Sequence, residues 1–301
     1  MIFSERYRQA LAFKSLDVEE VVDRYFHRPI AAAVAALLIP LPITPNQVTL
    51  SSLAVGWLGS FFLFQAFFVD ETGSPALWLL SGGLLFLAVI FDCVDGQLAR
   101  ARGGGSRVGR ILDGFVDVLV LFPAYVILGF GIQSFYGNTW LIIAAVAGFS
   151  TWIHCIVYDK VKNLYLARTM PEAGGAEGTE TLEGVRQELA EARESGSLLE
   201  RFLLWVYVGY LQVQDRFASG STEKVPQVSP ADIERFRGNH RSTMRLASYL
   251  GLGTHMMIIY AGIAMMSVDL RAVLVMQILF ATIFNVVMVV VLVRSRGFEE
   301  G

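Results

Sequence analysis

Six blocks of about twenty apolar residues divide this chain, near 47–69, 76–98, 109–132, 139–161, 246–267 and 272–293. Each has the length needed to cross the hydrocarbon of a bilayer as a helix, about 20 residues. An open sheet edge in lipid would leave backbone groups unpaired, so helices are the expected element. Hydrophobic residues make up 54% of the sequence and charged residues 17%. A soluble domain sits nearer 45–50% and about 25%. The blocks exclude a cytosolic globule, a disordered chain and a secreted disulfide scaffold. Cys93 and Cys155 lie within apolar blocks and read as small apolar fillers. The net charge of −3 gives no electrostatic footprint for nucleic acid. Met1 to Glu20 is mixed and polar, without the apolar run of a secretory leader.

Orientation follows from Lys and Arg in short loops. The 70–75 and 133–138 loops hold neither, and 267–271 holds only Arg271. Arg100, Arg102, Arg107 and Arg110 crowd the turn after the second block, and both ends of the chain are basic-flanked. The expected fold is an all-α integral membrane protein with six transmembrane helices and both termini cytosolic. The 17–28 stretch, with Ile30 to Ile43 broken by Pro40 and Pro42, suits an N-terminal interfacial amphipathic helix. Leu198 to Val213 is short and opens with Glu200 and Arg201, so it reads as an interfacial or insert helix and not as a seventh span. The expected segments are 1–46 (cytosolic and interfacial), 47–169 (spans one to four), 170–240 (cytosolic insert) and 241–301 (spans five and six with the tail).

The chemistry lies in residues 92–117. Asp92 and Asp95 are three apart on one helix, and Asp113 and Asp117 four apart on the next, so each pair shares a face. The short turn between the helices makes them antiparallel neighbours. Both pairs then point at one spot. An Asp at the centre of a span costs about 2.5–3.5 kcal/mol even on the lenient insertion scale. Four unpaired ones, repelling each other, would cost more than four times that. Cations must compensate, and four carboxylates match two divalent ions. Hard oxygen ligands select Mg²⁺ or Mn²⁺, and two such ions about 3.5–4 Å apart form the usual clamp for displacement at phosphorus. A salt bridge to Arg100 or Arg102 is the structural alternative; the better role for both arginines is bidentate binding of substrate phosphate. Gly103-Gly104-Gly105-Ser106 leads into the N-terminus of the third helix, a place where backbone N–H groups and the helix dipole favour an anion. Gly96 and Gly109 lie in helical pattern, where close approach of a neighbour or ligand explains the missing side chain.

These residues fit D-x2-D-G-x2-A-R-x8-G-x3-D-x3-D at every fixed position: Asp92, Asp95, Gly96, Ala99, Arg100, Gly109, Asp113 and Asp117. The pattern resembles the signature of the CDP-alcohol phosphotransferase (CDP-alcohol phosphatidyltransferase) family. Thr44-Pro45-Asn46-Gln47-Val48-Thr49 resembles a second family feature, and also reads as a Thr44 N-cap with Pro45 at the first helical position and Gln47 closing a capping box. The resemblance covers the six-span core and not the insert. It implies an enzyme that splits a CDP-linked donor, releases CMP and joins the remaining phospho-group to an alcohol. It implies one metal on Asp92, Asp95 and Asp113, a second on Asp92, Asp113 and Asp117, and Asp117 as the base for the acceptor hydroxyl. Gly96, Arg100 and Ser106 would hold the CDP, with Asn46 and Arg102 as further substrate contacts.

The expected donor is CDP-diacylglycerol and the acceptor a small polar alcohol. The alternative is a CDP-choline or CDP-ethanolamine donor with diacylglycerol as acceptor, and an alternative of another class is a divalent-cation transporter. Transport predicts polar groups continued across the membrane, and the outer halves of spans two, three, five and six are nearly all apolar. Lys160, Lys162, Arg168, Arg241 and Arg245 are candidates for a phosphorylated acceptor, although the positive-inside rule already accounts for them. His154, His240 and His255 read as core polar contacts. Membrane lipids are the surroundings, the aspartates are expected to face the cytosol across a bacterial or archaeal-type cell membrane, and a homodimer is implied by resemblance alone.

Overall fold

The computed structural model describes residues 2–12, 15–70, 72, 74–104, 107–170, 182–195, 198–217 and 229–300, and among these it contains no strand. The helices are α1 (Phe3–Ala10), α2 (Arg28–Leu38), α3 (Pro45–Phe68), α4 (Pro75–Ala101), α5 (Arg107–Tyr136), α6 (Asn138–Thr169), α7 (Leu182–Ser195), α8 (Leu198–Phe217), α9 (Pro230–Ala247), α10 (Leu252–Met265), α11 (Ala272–Ala281) and α12 (Ile283–Ser295).

Among the described residues, five stretches are long and apolar enough to cross a membrane: Pro45–Phe68, Pro75–Ala101, Ile111–Tyr136, Asn138–Thr169 and Ala272–Ser295. A sixth exists only if Ala231–Leu250 and Leu252–Met265, bent by 40° at their junction, count as one. The chain is thus an all-helical integral membrane protein with five or six long apolar helices. The helix expected over 246–267 is interrupted at 248–251, where a short 3₁₀ turn leads into extended Gly251. Its apolar part, α10, has 14 residues and a length of about 21 Å, short of the roughly 30 Å of hydrocarbon. The last span is also interrupted, at Thr282 (φ −128°, ψ −73°), between α11 and α12. A buried polar chain ties both interruptions together: His255 Nδ1 meets the Gly251 carbonyl at 2.8 Å, His255 Nε2 meets His154 Nδ1 at 3.1 Å, and His154 Nε2 meets Asn285 Oδ1 at 3.2 Å. His154 and His255 are core polar contacts, as their apolar surroundings suggest.

α3 starts where its sequence says it should. The Gln47 N–H donates to Thr44 Oγ1 at 3.3 Å, and the Thr44 N–H to Gln47 Oε1 at 2.8 Å, with Pro45 in the first turn. α3, α4, α5 and α10 share the main core, in which Leu63, Leu85, Leu128, Ile259 and Ile263 are fully buried. Lipid offers helices no hydrophobic drive to associate, so close backbone approach does the work. A Cβ at Gly82 would stand 2.7 Å from the Tyr260 carbonyl, which fixes how near α4 lies to α10.

The N-terminal segment departs from a simple surface helix. Residues 16–19 form turns, a π-turn occupies Asp23–His27, and α2 then runs to Leu38. Ala31, Ala32, Ala35 and Ala36 are fully buried, and Ala31, Ala32 and Ala35 pack in one cluster with Ile90, Val94 and Leu98 of α4. Small alanines let α2 lie close to the helix that carries the first aspartate pair. In the insert, α7 and α8 bury Val185, Leu189, Leu203, Leu204 and Val208 against each other and against Ile111 at the start of α5. α8 is not among the apolar spans, in keeping with an insert helix.

Candidate metal centre and active-site cavity

α4 and α5 are joined by a short turn and run antiparallel, which sets Asp95 and Asp113 towards the turn and Asp92 and Asp117 deeper. One carboxylate oxygen from each of Asp92, Asp95 and Asp113 lies within 4.8 Å of the other two. Asp113 is in hydrogen-bonding contact with Asp92 and Asp95, and Asp92 with Asp117. The four carboxyl groups therefore form one cluster, built by the i,i+3 and i,i+4 spacing of the sequence. Asp113 Oδ1 is buried and has no hydrogen-bond partner among the described residues. Buried acceptors are almost always satisfied, so an oxygen in this condition among carboxylates fits a ligand of a hard divalent cation. Asp92, Asp95, Asp113 and Asp117 are the residues that could hold such ions.

Asp95 is 3% exposed, and Thr49 Oγ1 donates to its Oδ2 at 2.5 Å. Thr49 sits one turn into α3, and one turn further Ser52 Oγ donates to the Ala88 carbonyl at 2.9 Å. The capping box at Thr44 thus starts a helix whose second turn is fastened to α4 beside the cluster. Asn46 is exposed in the first turn of α3, three residues before Thr49.

Gly96 leaves a space covered by the Arg100 guanidinium, whose Nη1 would be 3.4 Å from a Cβ placed there. Arg102 has a different job from the one expected. Its Nη1 and Nη2 donate to the carbonyls of Ile43, Leu38, Ile39 and Leu41 at 2.5–3.3 Å. It closes the C-terminus of α2 and holds the α2–α3 link. Gly103 and Gly104 adopt φ of +99° and +116°, conformations that suit glycine. Gly105 and Ser106 lie outside the described residues, so the expected anion loop is seen only in its first half.

A cavity of about 170 Å³ adjoins the cluster. Asp92 and Asp117 line it, together with Glu20, Asp23, Gly253 and Met256. Glu20 and Asp23 carried no signal in the sequence, because nothing local ties them to a motif some seventy residues on. Glu20 accepts the Thr254 N–H at 3.1 Å, at the N-terminus of α10. Burial pushes its carboxyl well above the usual carboxylate range, the charge of Asp23 adds to this, and the N–H groups of Thr254 and Gly253 offset it only in part. Asp23 Oδ1 pairs with His27 Nδ1 at 2.8 Å, and His27 Nε2 meets the Tyr260 hydroxyl at 3.1 Å. Of the basic candidates, Lys162 lies within electrostatic reach of Glu20. Lys162 pairs with Asp159 at 3.2 Å, Arg241 with Asp17 at 3.2 Å, and Arg241 and Arg245 share a small separate hollow with Arg24 and Asp17. His240 stacks between Phe236 and Phe298.

Residues 42–171 match the family model described as CDP-alcohol phosphatidyltransferase. A phosphatidylinositol phosphate synthase of Mycobacteroides abscessus is 29% identical over 143 residues, 47% of this chain and 56% of that protein. An archaetidylinositol phosphate synthase of Pyrococcus horikoshii is 33% identical over 86 residues, 29% of this chain and 40% of that one. A choline/ethanolaminephosphotransferase 1 of Arabidopsis thaliana is 31% identical over 129 residues, 39% of this chain and 31% of that one. The chain spans about half the length, or less, of these curated relatives. The matched segment takes in α3 to α6 with the aspartate cluster and Thr49 inside it, and through this segment the chain is similar to the CDP-alcohol phosphatidyltransferase family.

Proposed function

We propose that this chain is a membrane-embedded phosphotransferase that cleaves CDP-diacylglycerol, releases CMP and transfers the phosphatidyl group to a small polar alcohol in phospholipid synthesis. The observation that carries the reading is the meeting of four aspartates from two antiparallel helices beside a cavity, within a segment that matches the family. Asp92, Asp95 and Asp113 would hold one Mg²⁺ or Mn²⁺, and Asp92, Asp113 and Asp117 a second. When bound, the ions neutralise the pyrophosphate and draw charge from the reacting phosphorus.

The protein's own groups do the rest. Gly96 lets the CDP approach the α4 backbone, and Arg100, above it, offers a fork of N–H donors to phosphate. Asn46 and Ser106 complete the donor's contacts. Asp117 takes the proton from the acceptor hydroxyl as that oxygen bonds to the phosphatidyl phosphorus. The bond from this phosphorus to the bridging oxygen breaks, and its electron pair leaves with CMP. A carboxylate near pKa 4 is a weak base for an alcohol, so the transfer relies on the acidity the hydroxyl gains in the transition state.

The topology we propose has six spans, both termini and the aspartates on the cytosolic side of a bacterial or archaeal-type cell membrane, an N-terminal interfacial helix, and the segments 1–46, 47–169, 170–240 and 241–301. A homodimer is proposed on family resemblance. The likeness to an aminoalcohol phosphotransferase favours a second reading, in which CDP-choline or CDP-ethanolamine is the donor and diacylglycerol the acceptor. The test is CMP release by the purified full chain with Mn²⁺, each donor and a panel of alcohols. Asp117→Asn is expected to abolish turnover and keep measurable CDP-diacylglycerol binding; near-normal turnover removes the base role. Metal uptake into vesicles without any CMP would replace the enzyme with a transporter.

A further inference from the structure

The cavity beside the aspartates has two ends of different chemistry. Gly96 and Arg100 lie one and two turns beyond Asp92 on α4, towards the turn, and neither lines the cavity. The cavity instead takes in Ala88, Val89 and Val120, on the other side of Asp92 and Asp117. A donor whose CDP rests on Gly96 and Arg100 leaves this space to the second substrate, next to Asp117.

The lining that holds Asp117 also holds a pair of carboxyl groups that the fold has gone to some length to place. Glu20 and Asp23 are one turn apart at the start of the N-terminal helical segment. Each presses against a glycine of the broken span: a Cβ at Gly251 would overlap the Glu20 carboxyl, and one at Gly253 the Asp23 carboxyl. Glu20 is fastened by the Thr254 N–H, and Asp23 by His27, itself fully buried and joined to Tyr260 on α10. Among the described residues, no Lys or Arg lines the cavity. Of the cations that a phosphorylated acceptor would call for, Lys162 is held by Asp159, Arg241 is paired with Asp17, and Arg241 and Arg245 line the separate hollow.

We propose that Glu20 and Asp23 are specificity-determining residues for the acceptor, selecting a small alcohol that bears hydroxyl or ammonium groups and no phosphate. The inference rests on the transferase reading above. Carboxyl oxygens accept hydrogen bonds, which hydroxyl and ammonium groups supply. A phosphate brings acceptors and negative charge to a lining whose described residues include Glu20 and Asp23 and no Lys or Arg, and like charges set together in a desolvated site are strongly disfavoured. Two of the curated relatives carry inositol phosphate synthase names, so this chain would differ from them in the acceptor it takes.

The experiment uses the purified full chain in lipid nanodiscs with Mn²⁺ and CDP-diacylglycerol, and reads CMP release with matched acceptors: glycerol against glycerol 3-phosphate, inositol against inositol 1-phosphate, with serine and ethanolamine alongside. The expected result is a kcat/KM at least about 100-fold higher for the best bare alcohol than for either phosphorylated one. Asp23→Asn is expected to raise the acceptor's KM at least about 10-fold with the KM for CDP-diacylglycerol unchanged; a merely structural role would move both together. Glu20→Gln should act in the same direction, and Asp23→Asn with the matched pairs suffices where that variant does not fold. Preference for a phosphorylated acceptor overturns the inference while leaving the transferase reading intact. CMP release only from CDP-ethanolamine or CDP-choline with diacylglycerol also overturns it. Absence of CMP with every donor and acceptor overturns the transferase reading instead. Calorimetric binding to the Mn²⁺-loaded protein then still decides the point: inositol 1-phosphate bound as tightly as inositol refutes the selectivity.

Discussion

Thr49→Val isolates the one hydrogen bond by which α3 reaches the aspartate cluster. The substitution keeps the shape and the β-branch and removes the hydroxyl that donates to Asp95 Oδ2 at 2.5 Å. Asp95 is 3% exposed, so water does not take the hydroxyl's place. Thr49 Oγ1 also reaches the Pro45 carbonyl at 3.2 Å, but that carbonyl already belongs to the helix's own i→i−4 ladder. A hydrogen bond to a charged group contributes about 1.5–3 kcal/mol. Groups that orient a metal ligand typically change affinity by about 10–100-fold when removed, or about 1.4–2.7 kcal/mol at 1.36 kcal/mol per decade. The expected outcome is Mn²⁺ binding weakened by that factor, measured by electron paramagnetic resonance titration of the free ion, with Thr49→Ser close to the parent because it keeps the donor. Thr49→Val binding Mn²⁺ within twofold of the parent would refute the argument that Asp95 is a ligand held by Thr49.

Arg102→Ala should lower thermal stability by about 1–2 kcal/mol, through the lost cap on α2, without changing the KM for the CDP donor; a raised KM with unchanged melting would return Arg102 to the substrate. His255→Phe leaves His154 Nδ1 without its His255 partner in a buried site, and the Gly251 carbonyl with only the long bond from the backbone N–H of residue 255 at 3.4 Å, and should cost about 1–3 kcal/mol in detergent unfolding; an unaltered midpoint would show that the breaks hold themselves. Glu20 has its pKa raised in the folded protein, so the folded state binds a proton more tightly than the unfolded chain does, and stability falls as pH rises from the ordinary glutamate range towards the raised value. Metal-free Glu20→Gln should therefore melt higher than the parent near neutral pH, with the gap closing towards pH about 4; a gap that widens on acidification contradicts the assigned cause.

How much of this was legible before the structure depends on the range of the cause. The helices α3 to α6 are legible because lipid favours one uninterrupted apolar run for each, and the aspartates because helix periodicity and a short turn leave Asp92, Asp95, Asp113 and Asp117 no other place to meet. The capping box at Thr44 is a signal confined to four residues, and it forms as written. The failures all involve partners far off in the chain. Arg102 shows the same residue type, at the same place after a helix, whether it grips phosphate or the carbonyls of α2 some sixty residues earlier. Thr49 lies in a recognised motif, yet its bond to Asp95 spans 46 residues. The break in the expected fifth span has the longest reach. An uninterrupted helix through Gly251 would lose the N–H groups that Glu20 accepts from 234 residues away, and a side chain on either glycine would displace that carboxyl and Asp23. The span is broken, on this argument, because an N-terminal carboxyl pair occupies its backbone at the wall of the cavity, so a fold-level irregularity and a feature of the candidate site have one physical origin.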